Sequence, residues 1–295
     1  TRVGVIGDWE KCYSTMSFDA EAQIVRELGK FLKEGSLYRG FKPVLWSTVE
    51  KTALADAEVE YQDHKSDTIY TSFPVKTSNI DELIGSEIVI WTTTPWTIPA
   101  NKALAYNKSL DYILVQLCDD NDFKNRKVVV AEALLDSVIK DCSIKDFKKI
   151  KKFKGNELKD TICNHPFLNL GYDYDIPMLE AGFVTTEQGT GIVHCAPSHG
   201  PDDFNLCLSN GIKAVETVDG DGKYTKNVKL FEEIHIFKAN PIVIGKLKEQ
   251  KKLLSNGELV HSYPHSWRSK APLVHRATPQ WFISMDSHKL RAKAL

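Results

Sequence analysis

From about residue 59 onward the chain is written in short β-branched or alternating runs, at 68–75, Glu87–Thr92, Asp111–Leu117 and Lys127–Ala131, with Gly, Asn and Asp between them. Runs of that length bounded by turn residues predict strands, so the core must be sheet-rich. Helical stretches interrupt it at 131–140 and at about 202–210, the second stopped by Gly211. A further helix is predicted over 241–254, with Asn240 as its cap, Pro241 in its first turn and Asn256-Gly257 ending it. Ahead of the strands, Ile24, Val25, Leu28, Phe31 and Leu32 recur at helical spacing, with Asp19 and Glu21 at the start and Gly35 at the stop. The last thirty residues, from Tyr263, show no clear period. The predicted fold class is mixed α/β, with both chain ends reading as pieces of something else.

Composition narrows the function classes. The 295 residues are 42% hydrophobic and 26% charged, with 38 basic against 39 acidic side chains and a net charge of −1. That excludes the strongly basic signature of a nonspecific nucleic-acid coat. The longest apolar runs, such as 88–91 and 128–131, fall far short of the ~18 residues of a membrane span, and no secretory leader pattern opens the chain. It begins at Thr1, as expected of an excised piece. Six cysteines, at 12, 118, 142, 163, 195 and 207, include no C-x-x-C pair, so unpaired thiols in a reducing cytosol are expected.

Two segments concentrate the chemistry. In Trp91-Thr-Thr-Thr-Pro-Trp-Thr-Ile-Pro-Ala-Asn101, a strand runs into Thr92, Thr93, Thr94 and Thr97, then Asn101, with Pro95 and Pro99 stiffening the backbone. This is a dense, uncharged array of donors and acceptors, although a threonine-rich edge strand reads the same way. In Gly189-Thr-Gly-Ile-Val-His-Cys-Ala-Pro-Ser-His-Gly-Pro-Asp-Asp-Phe204, Gly189 and Gly191 permit close backbone approach, and a short strand delivers His194 at its end. Asp202 and Asp203 then open a helix, where the exposed N–H groups favour an ionised carboxylate. One of the two can cap; the other is free to receive a primary ammonium group beside the hydroxyls. A metal held by His194, His199 and Asp203 has weak support, since no helical ligand spacing is present. Cys195 points away from His194 across the strand and reads as a small core residue.

Two further stretches stay open to more than one reading. The segment 140–154 carries seven lysines alternating with Ile144, Phe147, Ile150 and Phe153, as on an exposed edge strand whose lysines discourage pairing. The stretch 261–276 mixes Tyr263, His265, Trp267, Arg268 and Arg276, suiting RNA contact or a packed interdomain linker equally.

With these segments in hand, the chain closely resembles the isoleucyl-tRNA synthetases of bacterial or organellar type. Carrying the resemblance are Gly7-Asp-Trp9 with residues 13–16, Leu37-Tyr-Arg-Gly-Phe-Lys-Pro43, Ala53-Leu-Ala-Asp-Ala-Glu-Val-Glu-Tyr61, the two segments above, His261-Ser-Tyr-Pro-His-Ser-Trp-Arg268 and Arg276-Ala-Thr-Pro-Gln-Trp-Phe-Ile-Ser-Met-Asp286, all in family order. Thr-Thr-Thr-Pro in place of Thr-Thr-Arg-Pro, together with His194, selects the isoleucine branch over the related valyl and leucyl enzymes. Cys12, Cys195 and Ser198 depart from the residues usual there. The family's ATP-site signatures, His-Ile-Gly-His and Lys-Met-Ser-Lys-Ser, are not in this sequence.

The resemblance implies an inserted editing domain, strand-rich and β-barrel-like, at 60–262. Residues 1–59 would be a flanking piece of a split Rossmann catalytic domain, and 263–295 a return linker into it. Its implied activity is hydrolysis of valine misattached to tRNA(Ile). No cofactor is expected for that step, since the ATP and Mg sites of the parent ligase belong to the missing signatures. The implied partners are the valine-bearing 3′ end of tRNA(Ile) and the rest of the synthetase, in a cytoplasmic, membrane-free, monomeric enzyme. A non-catalytic module that binds the tRNA end is the alternative. The implied catalytic residues are Asp203, gripping the α-ammonium, His194, walling the side chain, and Thr93 and Thr94. Substrate-binding positions would be Thr92, Thr97, Asn101, Trp91, Trp96 and Gly191. By residue type, His194 is the only candidate general base.

Overall fold

The structure, a computed structural model, describes residues 4, 6–8, 10–120 and 122–295; Trp9, quoted in the first family motif, lies outside the described residues. The chain divides into two compact units, 1–41 with 279–295, and 42–278. The span 60–262 expected of the editing domain lies inside the second.

In the first unit, helix α1 (Phe18–Lys33) begins at Ser17, whose hydroxyl accepts the Ala20 N–H, and carries Asp19 and Glu21 in its first turn. Gly35, at φ +74°, lets the chain turn out of it. No residue of α1 is buried, and Ile24, Val25, Leu28 and Leu32 remain exposed.

Strand β1 (Leu37–Ser47) begins in the first unit and ends in the second, where its Trp46 and Ser47 pair antiparallel with β2 (Thr52–Ala53). Next come β3 (Val59–Thr77), β4 (Glu87–Thr92), β5 (Ala103–Tyr106), β6 (Asp111–Leu117) and β7 (Lys127–Ala131). Helix α2 (Leu135–Asp141) leads to β8 (Phe147–Lys154), β9 (Ile162–Asn164), β10 (Asp175–Glu180) and β11 (Ile192–Cys195). The last elements are α3 (Pro201–Ser209), α4 (Ala239–Glu249), β12 (Leu253–Ser266) and β13 (Val274–Ile283).

Ten of these strands form one sheet in the order β11-β5-β10-β9-β3-β4-β7-β6-β8, with β12 paired to β3 alongside that path. Pairing is antiparallel except for β10 with β5 and β4 with β7. The mixed α/β, strand-rich core is thus present, but the sheet is open: the barrel-like closure does not occur, since β11 and β8 end its path. Lysines 148, 149, 151, 152 and 154 project from the β8 edge while Phe153 is buried, which blunts that edge against further pairing.

The centre of the sheet carries the core. Ile69, Phe73, Ile88, Ile90, Leu114 and Val129 are fully buried, because β3, β4, β6 and β7 are covered on both faces and so need no polar alternation. Strands β4, β6 and β7 coincide with the predicted runs. The helix predicted over 241–254 is shorter and shifted. Residue 238 caps α4 without a side-chain bond, and Asn240 turns outward to accept the Trp96 N–H at 3.1 Å and to donate to Asp67 at 2.9 Å. Asn256 and Gly257 end no helix; they pair with Ile69 and Thr68 inside β12. The unperiodic C-terminal stretch contains β13.

One buried ion cluster braces the start of β4. Glu87, 8% exposed, accepts Lys252 Nζ at 2.6 Å and the Arg126 guanidinium, which also donates to Ser72 Oγ at 3.1 Å and to the Lys251 carbonyl at 2.7 Å. Removing one member of a buried cluster strands the opposite charges. Glu87→Ala is therefore expected to cost on the order of 3–5 kcal/mol, read as a lower urea midpoint at unchanged slope.

Candidate functional site

The turn after β4 sets the site. Pro95–Ala100 forms a 3-10 helix whose six residues are all buried; Pro99 has no N–H to offer the Trp96 carbonyl, while the Ile98 carbonyl accepts the Asn101 N–H at 3.0 Å. Side chains from distant elements add donors. Tyr224 Oη donates to the Trp96 carbonyl, His165 Nε2 donates to the Ile98 carbonyl at 3.0 Å, and Tyr174 Oη donates to the Asn101 carbonyl at 2.9 Å. His165 can donate only from Nε2, because its Nδ1 accepts the Phe167 N–H at 3.1 Å. None of these anchoring residues stood out in the sequence. Each is a single aromatic far from residues 91–101, and only the topology brings it there.

Held in this way, the threonines join in a hydrogen-bonded chain. Thr92 Oγ1 accepts the Thr94 N–H at 3.1 Å and lies 3.2 Å from Thr94 Oγ1. Thr97 Oγ1 lies 3.3 Å from Thr94 Oγ1 and donates to the Thr94 carbonyl at 2.8 Å. The chain continues to His194 Nε2, 2.8 Å from Thr97 Oγ1, and from His194 Nδ1 to Asn101 Nδ2 at 3.2 Å. Strand β11 brings His194 there by pairing with β5, with His194 opposite Leu104.

Exposure differs along this chain. Thr93 and Thr94 are half-buried, whereas Thr97 (5%), His194 (7%) and Asn101 (0%) are closed off. Asn101 thus has no surface to offer an adenosine or a water, and its place in the site is inside the wall. Trp96, also buried, meets the His199 ring edge-on at 4.7 Å between centroids.

A cavity of about 300 Å³ opens at the head of the array, lined by Trp91, Thr92, Thr93, Phe183 and the segment 188–193. Its floor requires glycine. Gly189 and Gly191 sit at φ +81° and +71°, and a Cβ on Gly191 would come within 2.3 Å of the Ala131 Cβ. A second cavity, of about 440 Å³, shares Thr93 and adds Thr94, Trp96, His64, Asp67 and Tyr263 among its walls.

Asp203 is not joined to the threonine chain. Neither acidic residue caps α3: Gly200 is the cap, with Pro201 next, and Asp203 Oδ2 reaches back to accept the Ala196 N–H at 2.9 Å. Burial pushes its carboxyl up to about 7, against the pull of that hydrogen bond and with the neighbouring Asp202 charge adding to the rise. The helix-start field therefore does not keep it fully ionised at neutral pH, because desolvation outweighs it. Cys195 is buried against Ala103, Leu179 and Cys207, away from His194, and burial drives its thiol well above the usual range. His199 is engaged on both nitrogens, Nδ1 to the His275 carbonyl at 2.9 Å and Nε2 to Thr217 Oγ1 at 2.8 Å. Among the described residues, no three His, Cys, Asp or Glu side chains converge as metal ligands.

The imidazoles are held uncharged. Burial lowers His194 and His199 to about 4 and His165 to about 3. Depressed folded values mean that the unfolded chain binds more protons below pH 6.5, so stability is full above 6.5 and is lost as pH falls toward 4. Asp203 acts with opposite sign between pH 7 and 4. Urea melts at pH 7.5 and 5.0 should show a loss on the order of 2 kcal/mol per imidazole, with Asp203→Asn steepening the decline. Gly191→Ala is expected to lower stability by about 2–4 kcal/mol, from its left-handed backbone and the Ala131 clash, measured as a drop in Tm.

Comparison with known proteins identifies the family. The family described as tRNA synthetases class I (I, L, M and V) matches residues 1–295. An isoleucine--tRNA ligase of Pelagibacter ubique (strain HTCC1062) is 83% identical over 294 residues, which are 100% of this chain and 32% of that protein. The isoleucine--tRNA ligase of Gluconobacter oxydans (strain 621H) is 47% identical over 312 aligned residues, with 100% and 32% covered. The chain thus spans about a third of the length of the curated relatives it matches. A solved structure described as "The crystal structure of GlLeuRS-CP1" aligns with a TM-score of 0.48 at 12% identity, over 63% of this chain and 97% of that one. The chain belongs to the class I tRNA synthetases (I, L, M and V), as a segment whose matched relatives are isoleucine--tRNA ligases.

Proposed function

We propose that this segment is the editing domain of an isoleucyl-tRNA synthetase and hydrolyses valine from mischarged tRNA(Ile). The need for such a step follows from chemistry. Isoleucine and valine differ by one methylene, worth only ~1–3 kcal/mol in an apolar pocket, a limit for which this enzyme class is the standard illustration. A second, hydrolytic pocket that excludes the larger side chain restores accuracy.

The observation that carries the reading is the uncharged chain Thr92–Thr94–Thr97–His194–Asn101, which starts in the wall of the 300 Å³ cavity. An aminoacyl ester is already activated. Its hydrolysis needs a held carbonyl and a placed water more than a strong nucleophile, and fixed hydroxyls supply both without reorganising. In this reading Thr94, the accessible member of that chain, and its half-buried neighbour Thr93 contact the ester or its water. Trp91 and Gly191 shape the cavity, and Trp96 lies in the wall of the adjoining one.

Asp203 receives the α-ammonium. An arriving cation favours its charged form, so binding draws the carboxyl down from about 7. His194, neutral and buried behind the threonines, backs the wall and does not act as base. The parent ligase's activation of isoleucine, its ATP and Mg chemistry, its cytoplasmic setting and its monomeric state belong to this same proposal.

The test is deacylation of valyl-tRNA(Ile) beside isoleucyl-tRNA(Ile) by the chain. Valyl ester should be cleaved and isoleucyl ester spared. Asp203→Ala should reduce valyl turnover at least a hundredfold, about 3 kcal/mol of transition-state stabilisation, with an unchanged circular-dichroism spectrum. Binding of the tRNA end without hydrolysis would instead assign a non-catalytic module.

A further inference from the structure

The spacing Thr97 Oγ1–His194 Nε2–Asn101, 2.8 and 3.2 Å, has the outline of a hydroxyl–imidazole–amide triad. In a working triad the third group accepts the Nδ1–H, which leaves the Nε2 lone pair to take a proton from the hydroxyl. Here the proton inventory runs the other way. Asn101 Nδ2 lies 2.9 Å from the Ala103 carbonyl, which can only accept. Turning the amide over would set Oδ1 against that carbonyl, so the NH2 group faces both Ala103 O and His194 Nδ1. His194 Nδ1 must therefore accept.

At the other end, the Thr97 hydroxyl proton is committed to the Thr94 carbonyl at 2.8 Å, and its lone pair meets the Nε2–H. One oxygen is left over: Asn101 Oδ1 is buried with no hydrogen-bond partner. An orphaned buried acceptor is unfavourable, and it marks an amide held in this orientation by what its nitrogen must do. The titratable groups coupled to His194 are His199 and His165, both uncharged at neutral pH and neither able to stabilise an imidazolium.

We propose that Asn101 is a positioning residue that fixes His194 as the Nε2–H tautomer, so that the imidazole serves as a rigid uncharged wall and has no lone pair free to act as base. This rests on the editing reading for its consequence, but not for its geometry. Asn101→Asp, whose carboxylate accepts and cannot donate, would move the proton to Nδ1 and convert the wall into a basic dyad facing the Thr97 hydroxyl.

The experiment is 15N NMR of histidine-labelled chain between pH 6 and 8, with the His194 signals identified by their loss in His194→Gln. The expected wild-type result is an imine-type Nδ1 and a pyrrole-type Nε2 throughout. In Asn101→Asp the two nitrogens should exchange character or both become protonated. The ratio of valyl- to isoleucyl-tRNA(Ile) hydrolysis should fall by about tenfold or more.

A pyrrole-type Nδ1 in the wild type, protonation of His194 near pH 6.5, or an unmoved tautomer in a folded Asn101→Asp would each overturn the proposal. If Asn101→Asp does not fold, the wild-type tautomer decides alone. Absence of any valyl hydrolysis in the wild type would refute the editing reading while leaving the tautomer result standing.

Discussion

Three carbonyls on one short turn govern the rest of this site. The Trp96 carbonyl faces Pro99, which has no N–H to give, and takes its donor from Tyr224; the Ile98 carbonyl accepts the Asn101 N–H and His165 Nε2 together, and Tyr174 holds the Asn101 carbonyl just past the turn. A buried carbonyl without a donor is costly. The threonines at 92–97 therefore have one low-energy arrangement, not several, and their hydroxyl chain inherits that rigidity. The chemistry assigned to the site depends on this stillness, since a preorganised array stabilises a developing charge without first having to turn toward it.

Burial then sorts the array into two kinds of residue. Thr93 and Thr94 retain surface and can meet a ligand, while Thr97, His194 and Asn101 do not. The sequence presents all of them as equals on one loop. The difference arises because β11 passes over the turn and closes its far end, with Gly191 drawn against Ala131 and the Thr190 carbonyl accepting the Ala131 N–H at 2.8 Å. The same burial that hides His194 makes its charged form unfavourable, and it makes the Asp203 carboxyl a group that titrates near neutrality.

Legibility in the sequence followed physical locality. Strands β4, β6 and β7 were readable because both their faces are buried, so their β-branched runs carry no competing signal. Helix α1 was readable from its spacing, its acidic start and Gly35. Asn240 and Pro241 imitate a start signal for the helix at 239–249, while the Asn240 side chain is in fact spent on Trp96 and Asp67. β13 escaped because its residues alternate irregularly between buried and exposed. Within the site, Thr92–Thr97 and His194 were visible as residue types. The direction of the hydrogen bonds among them was not, since it is set by backbone acceptors at 94 and 103 that a sequence does not display.

Strand β4 joins two very different chemistries over six residues. At one end Glu87 sits between two cations with little exposed surface, and at the other Thr92 opens the hydroxyl array. Ions in solution screen such an enclosed cluster poorly, in contrast to the lysine pairs of β8 at the rim. The anchorage of the threonines is thereby insulated from the ionic milieu, while whatever the outer face does with a polyanion remains responsive to it. In the proposed editing role, a domain that meets a highly charged ligand at its surface and judges a single carbon in its interior gains from having those two sensitivities kept on separate parts of one sheet.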